Sequence, residues 1–533
     1  MALASFNEAT YIVAGGVPGD IYLWEGSKTF VRIVSLGIIS LFTDIVVGYG
    51  GSNAIIISSS VDRTCKVWSL WETIKKYHNM SSRVVVEMGK YTLLRSMLKA
   101  HPAVIMVAYS RLIVKSELFL LAIAPGLAKL DAFLVKYLNF ISFNGGILGL
   151  LSNIFKGKAP VKPNKKSPYY TSLVGFTDWR RDLDLSIQPH DKFRYYGGLT
   201  MMAAKIAYES EPFVQSVVND RWKMKFLGFF DFWNDFQDRA TTQAFMFQNT
   251  ATNDPNIIVI AFRGTSPFDT YDWQVDTDLS WYNIEGVGHI HSGFMKALGL
   301  QKATGWPKEL TKPQHDFAYY TLRQKLRDIV KSNDKARFII TGHSLGGALA
   351  TLFVTMLSYH EEKTILKKLQ AVYTYGQPRV GDRQFAEFMV NTVQNYGFKY
   401  YRYVYSSDLV PRIPYGGVGF KYKHFGRSIY FNSFYQGRMV KDQPNKNYFS
   451  LQWVIPKYLT ALWEVIRSFI TPLVWGFDYY ESLLMMGARL VGLVVPGFAA
   501  HFPVNYVNST RLGKLTAPNE VDDPIHEDDI ESD

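Results

Sequence analysis

KARFIITGHSLGGALATLFVTML, residues Lys335–Leu357, is the stretch that decides how the rest of the chain is read. Arg337–Thr341 has the apolar composition of a short buried strand, and Gly347–Leu357 is a run of strong helix formers. Between them, Gly342-His343-Ser344-Leu345-Gly346 is a tight turn. A serine held on such a strand–turn–helix corner leaves no room for side chains two residues to either side, which gives Gly342 and Gly346 a steric job. The pentapeptide alone is weak evidence, since average glycine and serine usage produces it in roughly one chain in five of this length. Its flanks make Ser344 a candidate nucleophile, activated by a histidine, with the amide of Leu345 as one oxyanion donor. The competing reading is a glycine-rich helix start capped by a serine.

Composition sets the outer limits. A chain of 533 residues holds two to four domains, and 47% apolar with 15% aromatic residues is high for an ordinary soluble enzyme. Cys65 is the single cysteine, so no internal disulfide forms and a reducing compartment is expected. Net charge is +12, yet Glu520–Asp533 carry eight acidic and no basic groups, so the rest of the chain bears +20. A basic body suits anionic membranes or nucleic acid. No nucleic-acid-binding motif accompanies the charge, which favours a membrane or lipid surface and no nucleic-acid partner.

Residues 1–70 differ in character from the rest of the chain. GDIYLWE (Gly19–Glu25) and DRTCKVWSL (Asp62–Leu70) each resemble the closing strand of a WD-repeat blade, and Trp24 and Trp68 stand 44 positions apart, a repeat-like period. One or two blades cannot close a propeller, so a remnant or a mis-joined segment is expected here rather than a working scaffold. Residues 71–158 then turn apolar. Leu118–Ala128 is uncharged but interrupted by Pro125, and Tyr137–Phe155 is 19 uncharged residues broken by Asn144-Gly145-Gly146. Lysines 115, 129, 136, 156 and 158 flank the two stretches, which predicts helices lying in or dipping into one leaflet rather than a spanning helix or a buried core pair. The basic linker Lys156–Ser167 closes this region. Beyond it, helical patterns (Leu199–Glu209, Phe317–Lys331) alternate with short apolar strands (Asn256–Phe262, Ala371–Thr374, Tyr400–Tyr405), which predicts an α/β fold with a mostly parallel central sheet. Residues 516–533 are expected to be a solvated, disordered acidic tail.

FRGT (262–265), GHSLGGA (342–348), YTYGQPRVGD (373–382) and SSDLVPRIP (406–414) together resemble the class 3, fungal-type lipases. With GGILGLLSNIFKGK (145–158) and AAHFPVNYVN (499–508), the set is similar to the oil-body triacylglycerol lipases of plants over roughly Leu98–Leu515. The resemblance implies an α/β-hydrolase domain over 159–515, with Ser344 as nucleophile, Asp408 as acid and His501 as base. It also implies Thr265 and Leu345 as the oxyanion hole. The order Ser, Asp, His is the one expected of an α/β-hydrolase. Among eleven histidines, His424, just 16 residues after Asp408, is the competitor for the base. His343 is assigned to packing or elbow shaping and His291 to a structural position. Phe268, Tyr271 and Trp273 come after the oxyanion residue and are lid candidates; Leu451–Gly497, longer than a compact hydrolase needs, is a candidate cap or second lipid-contacting surface.

The expected activity is serine-dependent hydrolysis of triacylglycerol at a lipid–water interface, on a lipid droplet or the cytosolic face of the endoplasmic reticulum. A lipid is the expected substrate and partner. Such hydrolysis needs no cofactor or metal, and the sequence has no metal-ligand motif. A phospholipase or galactolipase with the same residues, or a non-catalytic droplet-coat or WD-type interaction protein, are the alternatives.

Overall fold

A run such as Ile257–Phe262, apolar at every position, cannot alternate one face to solvent and must be covered on both sides. In the computed structural model it is the third of nine strands in one sheet whose spatial order runs with the chain: β1 (Lys225–Asn234), β2 (Arg239–Gln248), β3 (Ile257–Phe262), β4 (Arg337–His343), β5 (Leu369–Tyr375), β6 (Lys399–Tyr405), β7 (Ser428–Phe431), β8 (Gln436–Val440) and β9 (Lys514–Leu515). Strands β3 to β7 are parallel, each to the next. Antiparallel hairpins form the β1–β2–β3 edge and join β7 to β8. The structure describes residues 129–532 except 236, 251–254, 266–280, 301–304, 312–313, 415–421, 449 and 517–522, together with the backbone of seven strands between Ala2 and Ser69.

Period-two alternation sends the strand residues to two separate cores. Ile258, Ile260 and Phe262 pack with α2 (Ala318–Ser332), α3 (Leu345–Tyr359) and α4 (Arg383–Tyr396). Ile257, Val259 and Ala261 pack on the other side with α1 (Lys192–Ile206) and α7 (Pro503–Leu512). This is the mostly parallel sheet expected from the sequence, and helices cover both of its faces. Between β8 and β9 the chain leaves the sheet to form α5 (Val454–Trp475) and α6 (Leu483–Gly492).

Two compact units divide the chain at Tyr109/Ser110. In the first, four strands (Ala2–Phe6, Ala9–Gly16, Asp20–Glu25, Lys28–Ser35) form one antiparallel sheet and three (Phe42–Gly48, Ile55–Ser60, Cys65–Ser69) another. Residues 70–128, including the apolar stretch Leu118–Ala128, lie outside the described residues. Among the described residues no single helix is long and apolar enough to cross a membrane; Lys129–Phe143 and Gly146–Phe155 pass that test only together, and they are bent by 63°. The bend is built in. Gly145 and Gly146 have φ of 81° and 79°, and the buried Asn144 side chain donates to Phe140 O and Val161 O while accepting from Val161 N–H.

The acidic terminus corrects an expectation. Residues 523–532 are not a solvated tail: Ile530 is buried in the core beside α4, and the buried Glu531 carboxylate forms a bidentate pair with Arg379 at 2.6 and 2.7 Å. The reason is Arg379 itself, which is buried and needs an anion; composition alone does not reveal that it is waiting for one.

Candidate active site

Strand β4 ends at His343 and α3 begins at Leu345, so Ser344 must turn the whole corner; it does so at φ 58°, ψ −131°. Only glycine fits beside it. A Cβ on Gly342 would sit 2.1 Å from the Gly346 carbonyl carbon, and one on Gly346 would sit 2.4 Å from Phe262 O. That second approach also brings the segment after β3, which carries Thr265, against the start of α3, which carries Leu345. A Cβ on Gly264 would in turn meet His343 O at 2.4 Å. The two oxyanion candidates therefore stand on adjoining backbones at the carboxyl ends of neighbouring strands.

The structure brings Ser344, His501 and Asp408 together. His501 Nε2 is 2.8 Å from Ser344 Oγ, and Nδ1 is 2.9 and 3.0 Å from the Asp408 carboxylate oxygens. A carboxylate only accepts, so Nδ1 carries the proton and Nε2 faces the serine hydroxyl as an acceptor. His501 is presented by a turn after Pro496-Gly497, and Gly497 sits so close to Ser407 O that an added Cβ would be 2.2 Å away. Asp408 comes after β6 and is fully buried, with Oδ1 accepting from Val410 N–H at 2.9 Å. Its loop is braced by Arg412, which is buried and donates to the backbone oxygens of Asp408, Ser406, Pro444 and Asn445.

Two neighbours escaped the sequence reading, and a third, His343, is assigned there only to packing or elbow shaping. Tyr506, one turn into α7, donates its hydroxyl to Asp408 Oδ2; burial, then the Asp408 charge, push that hydroxyl well above the ordinary tyrosine range, so it keeps its proton. His343 does more than pack or shape the elbow. Its Nε2 is 2.8 Å from the His501 carbonyl oxygen, Nδ1 is 2.8 Å from Tyr208 Oη, and its ring stacks on His501 with centroids 4.6 Å apart. A carbonyl only accepts, so Nε2 bears the proton and Tyr208 donates to Nδ1. Burial, then the neighbouring His501, hold His343 well below the ordinary histidine range, so it stays neutral. Asn505 donates to Ala499 O and Ala500 O, the two residues before His501. The signal for Tyr506 and Asn505 was their spacing after His501 on a helix; the bonds of His343 gave none, because its partners are a backbone atom 158 residues away and the Tyr208 hydroxyl 135 residues away.

The competitor, His424, is buried away from this chain of contacts. Its Nε2 donates to Pro411 O and its amide to Glu531. His291 is buried and stacked on Phe294. Phe268, Tyr271 and Trp273 lie outside the described residues.

The hydroxyl of Ser344, the imidazole of His501 and the buried carboxylate of Asp408 thus stand in line within a fold of the α/β-hydrolase class. The pattern of the family described as Lipase (class 3) matches residues 259–417. Triacylglycerol lipase OBL1 of Nicotiana tabacum is 39% identical over 450 residues, covering 71% of this chain and 78% of that protein. The protein of the same name from Arabidopsis thaliana is 38% identical, covering 71% of this chain and 79% of its own length. The Rhizomucor miehei lipase, in a propeptide complex, is 24% identical over 46% of this chain and 69% of that one, with a TM-score of 0.33. The chain belongs to the class 3 lipase family.

Proposed function

We propose that this protein hydrolyses the ester bonds of triacylglycerol at a lipid–water interface, with Ser344 as nucleophile, His501 as base and Asp408 as the acid that orients it. The observation that carries the reading is the unbroken relay from Ser344 Oγ through His501 to the buried Asp408. Ser344 Oγ attacks the ester carbonyl carbon as its proton passes to His501 Nε2. Asp408 stabilises the imidazolium that results. The carbonyl oxygen becomes an oxyanion, which the amides of Leu345 and Thr265 stabilise by about two to three orders of magnitude per donor. Collapse breaks the bond to the glycerol oxygen, which leaves as diacylglycerol with the proton from His501. Water, deprotonated by His501, then releases the fatty acid from the acyl-serine.

The named relatives support triacylglycerol as substrate, and the apolar surface of the chain supports an interfacial setting such as a lipid droplet or the cytosolic face of the endoplasmic reticulum. In this reading residues 159–532 form the hydrolase, 71–158 associate with the lipid surface, and 1–70 are a WD-like fragment outside the chemistry. Phe268, Tyr271 and Trp273 are the lid candidates of this reading. The test is fatty-acid release from a long-chain triacylglycerol emulsion, phospholipid vesicles and a soluble short-chain ester. Ser344→Ala and His501→Ala should each lose about 10⁴-fold or more on the emulsion. A wild-type preference for vesicles would make it a phospholipase, and activity surviving His501→Ala would remove that residue as the base.

A further inference from the structure

Helix α5 is built inside out. Its buried stripe is Lys457, Ala461, Glu464, Arg467, Ser468 and Thr471, so all three of its charged residues face inward. Its exposed side is apolar along the whole length, from Ile455 and Leu459 through Leu462, Ile466 and Phe469 to Leu473, which is 86% exposed. The pattern continues past the helix. Phe477 in the connecting turn is 93% exposed, Leu483 opening α6 is 78% exposed, and Arg489, the one charged residue of α6, is buried. Over residues 454–495 only Asp478, in the turn, presents a charge to the outside.

A helix pair in water hides its apolar side. Here the charges take that place because they have partners. Arg489 pairs with Glu481 and with Glu464, and both Arg489 and Arg467 donate to Asn505 Oδ1 at 3.1 and 3.3 Å. Asn505 holds the carbonyls of Ala499 and Ala500, so the polar interior of the pair ends on the turn that presents His501. The apolar exterior is thus rigidly attached to the catalytic base.

We infer that the outer side of α5 and α6, from Ile455 to Val495, is the surface by which the enzyme seats on the phospholipid monolayer coating its lipid substrate, and that it does so with His501 fixed relative to that surface. The inference rests on the proposed interfacial hydrolysis. The monolayer, rather than a second copy, is the occupant for two reasons. First, a second bare apolar element adjoins the pair: Asn139 of the bent helices 129–155 is bonded to Thr171, which precedes the short helix Leu173–Thr177 packed against α6. Phe155 of that element is 87% exposed. Second, five exposed lysines (156, 158, 162, 165, 166) come directly after it, which attract anionic headgroups and repel an identical chain.

The test uses full-length protein carrying Leu473→Ser, Phe477→Ser and Leu483→Ser, three exposed positions outside the catalytic machinery. On a Ser344→Ala background, flotation with triolein droplets coated with phosphatidylcholine and phosphatidylserine should lose at least tenfold in bound fraction. With Ser344 intact, the droplet concentration giving half-maximal rate should rise by a similar factor, while turnover of a soluble short-chain ester stays within twofold. Unchanged flotation would overturn the inference. So would loss of a dimer in light scattering without loss of flotation, since a second copy would then be the occupant. A wild type inactive on every ester, yet floating through these residues, would remove the hydrolase reading and leave the surface standing.

Discussion

Helices α3 and α5 are both predominantly apolar, and they sit in opposite relations to water. In α3 every residue from Leu345 to Leu357 is buried, and the helix carries no charge at all. In α5 only six residues are buried, five of them polar or charged. The difference teaches that apolar content does not decide which way a helix faces; the location of its few charges does. A buried ion is tolerated only where a partner is fixed for it, and α5 has Tyr405, Ser433, Asn505 and the Glu464–Arg489–Glu481 group to supply one. Helix α3 lies against β3, β4 and β5, whose facing side chains are mostly apolar, with the neutral Thr374 among them, and it buries no charge of its own.

One substitution made twice gives the largest contrast. Leu349→Lys in α3 places an unpaired ammonium in the core, a cost of several kcal/mol against a total stability of about 5–15 kcal/mol, so no folded soluble protein is expected. Leu473→Lys in α5 should change thermal stability by less than about 0.5 kcal/mol, because the site is exposed. Thermal melts of both variants decide it. A large loss in Leu473→Lys would mean that the outer side of α5 is covered in the free protein.

The same rule operates at Glu531. Burial alone would raise its pKa, but the charge and hydrogen bonds of Arg379 prevail and hold it well below the usual carboxylate range. A folded pKa below the unfolded one contributes stability that is complete above the unfolded value, near 4.5, and is lost as pH falls below it. Glu531→Gln should therefore cost about 3 kcal/mol at neutral pH, since it leaves Arg379 buried without its anion, and should flatten the loss of stability below about pH 4.5. Urea midpoints at pH 3.5 and 7 read both effects. An equal loss in the two proteins on acidification would show that this pair does not govern the acid limb.

How much of the molecule was legible in the sequence divides along the same line. Strands β3 to β6 and the Ser344 corner are local events, set by apolar runs and by glycines with nowhere else to go, and they were readable directly. Asp408 and His501 came from the family resemblance; residues alone left His424 in contention, because a histidine becomes a base only through what stands beside it. The polar interior of α5 was not readable. Its charges recur at helical spacing, the usual signature of a solvated side, and their partners Asn505, Tyr405 and Glu481 come from three other segments. The acidic terminus misled for the same reason: eight acids near an end read as solvated until Arg379 is seen to be buried with Glu531 as its one anion among the described residues.

The smallest effect is expected where polar burial reaches the chemistry. Tyr506 donates to Asp408 from within the second core, so Tyr506→Phe keeps the ring packing and removes one donor from a fully buried carboxylate. A single hydrogen bond to a charged group contributes about 1.5–3 kcal/mol, so kcat/KM on a soluble ester should fall by roughly ten- to a hundredfold with KM little changed. A merely structural tyrosine would produce some loss as well, and a double-mutant cycle separates the two. In an Asp408→Ala background the hydroxyl has no carboxylate to serve, so adding Tyr506→Phe should cost less than about twofold. Equal losses in both backgrounds would mean that Tyr506 supports α7 rather than Asp408, and that the buried polar groups of this site act on its framework and not on its acid.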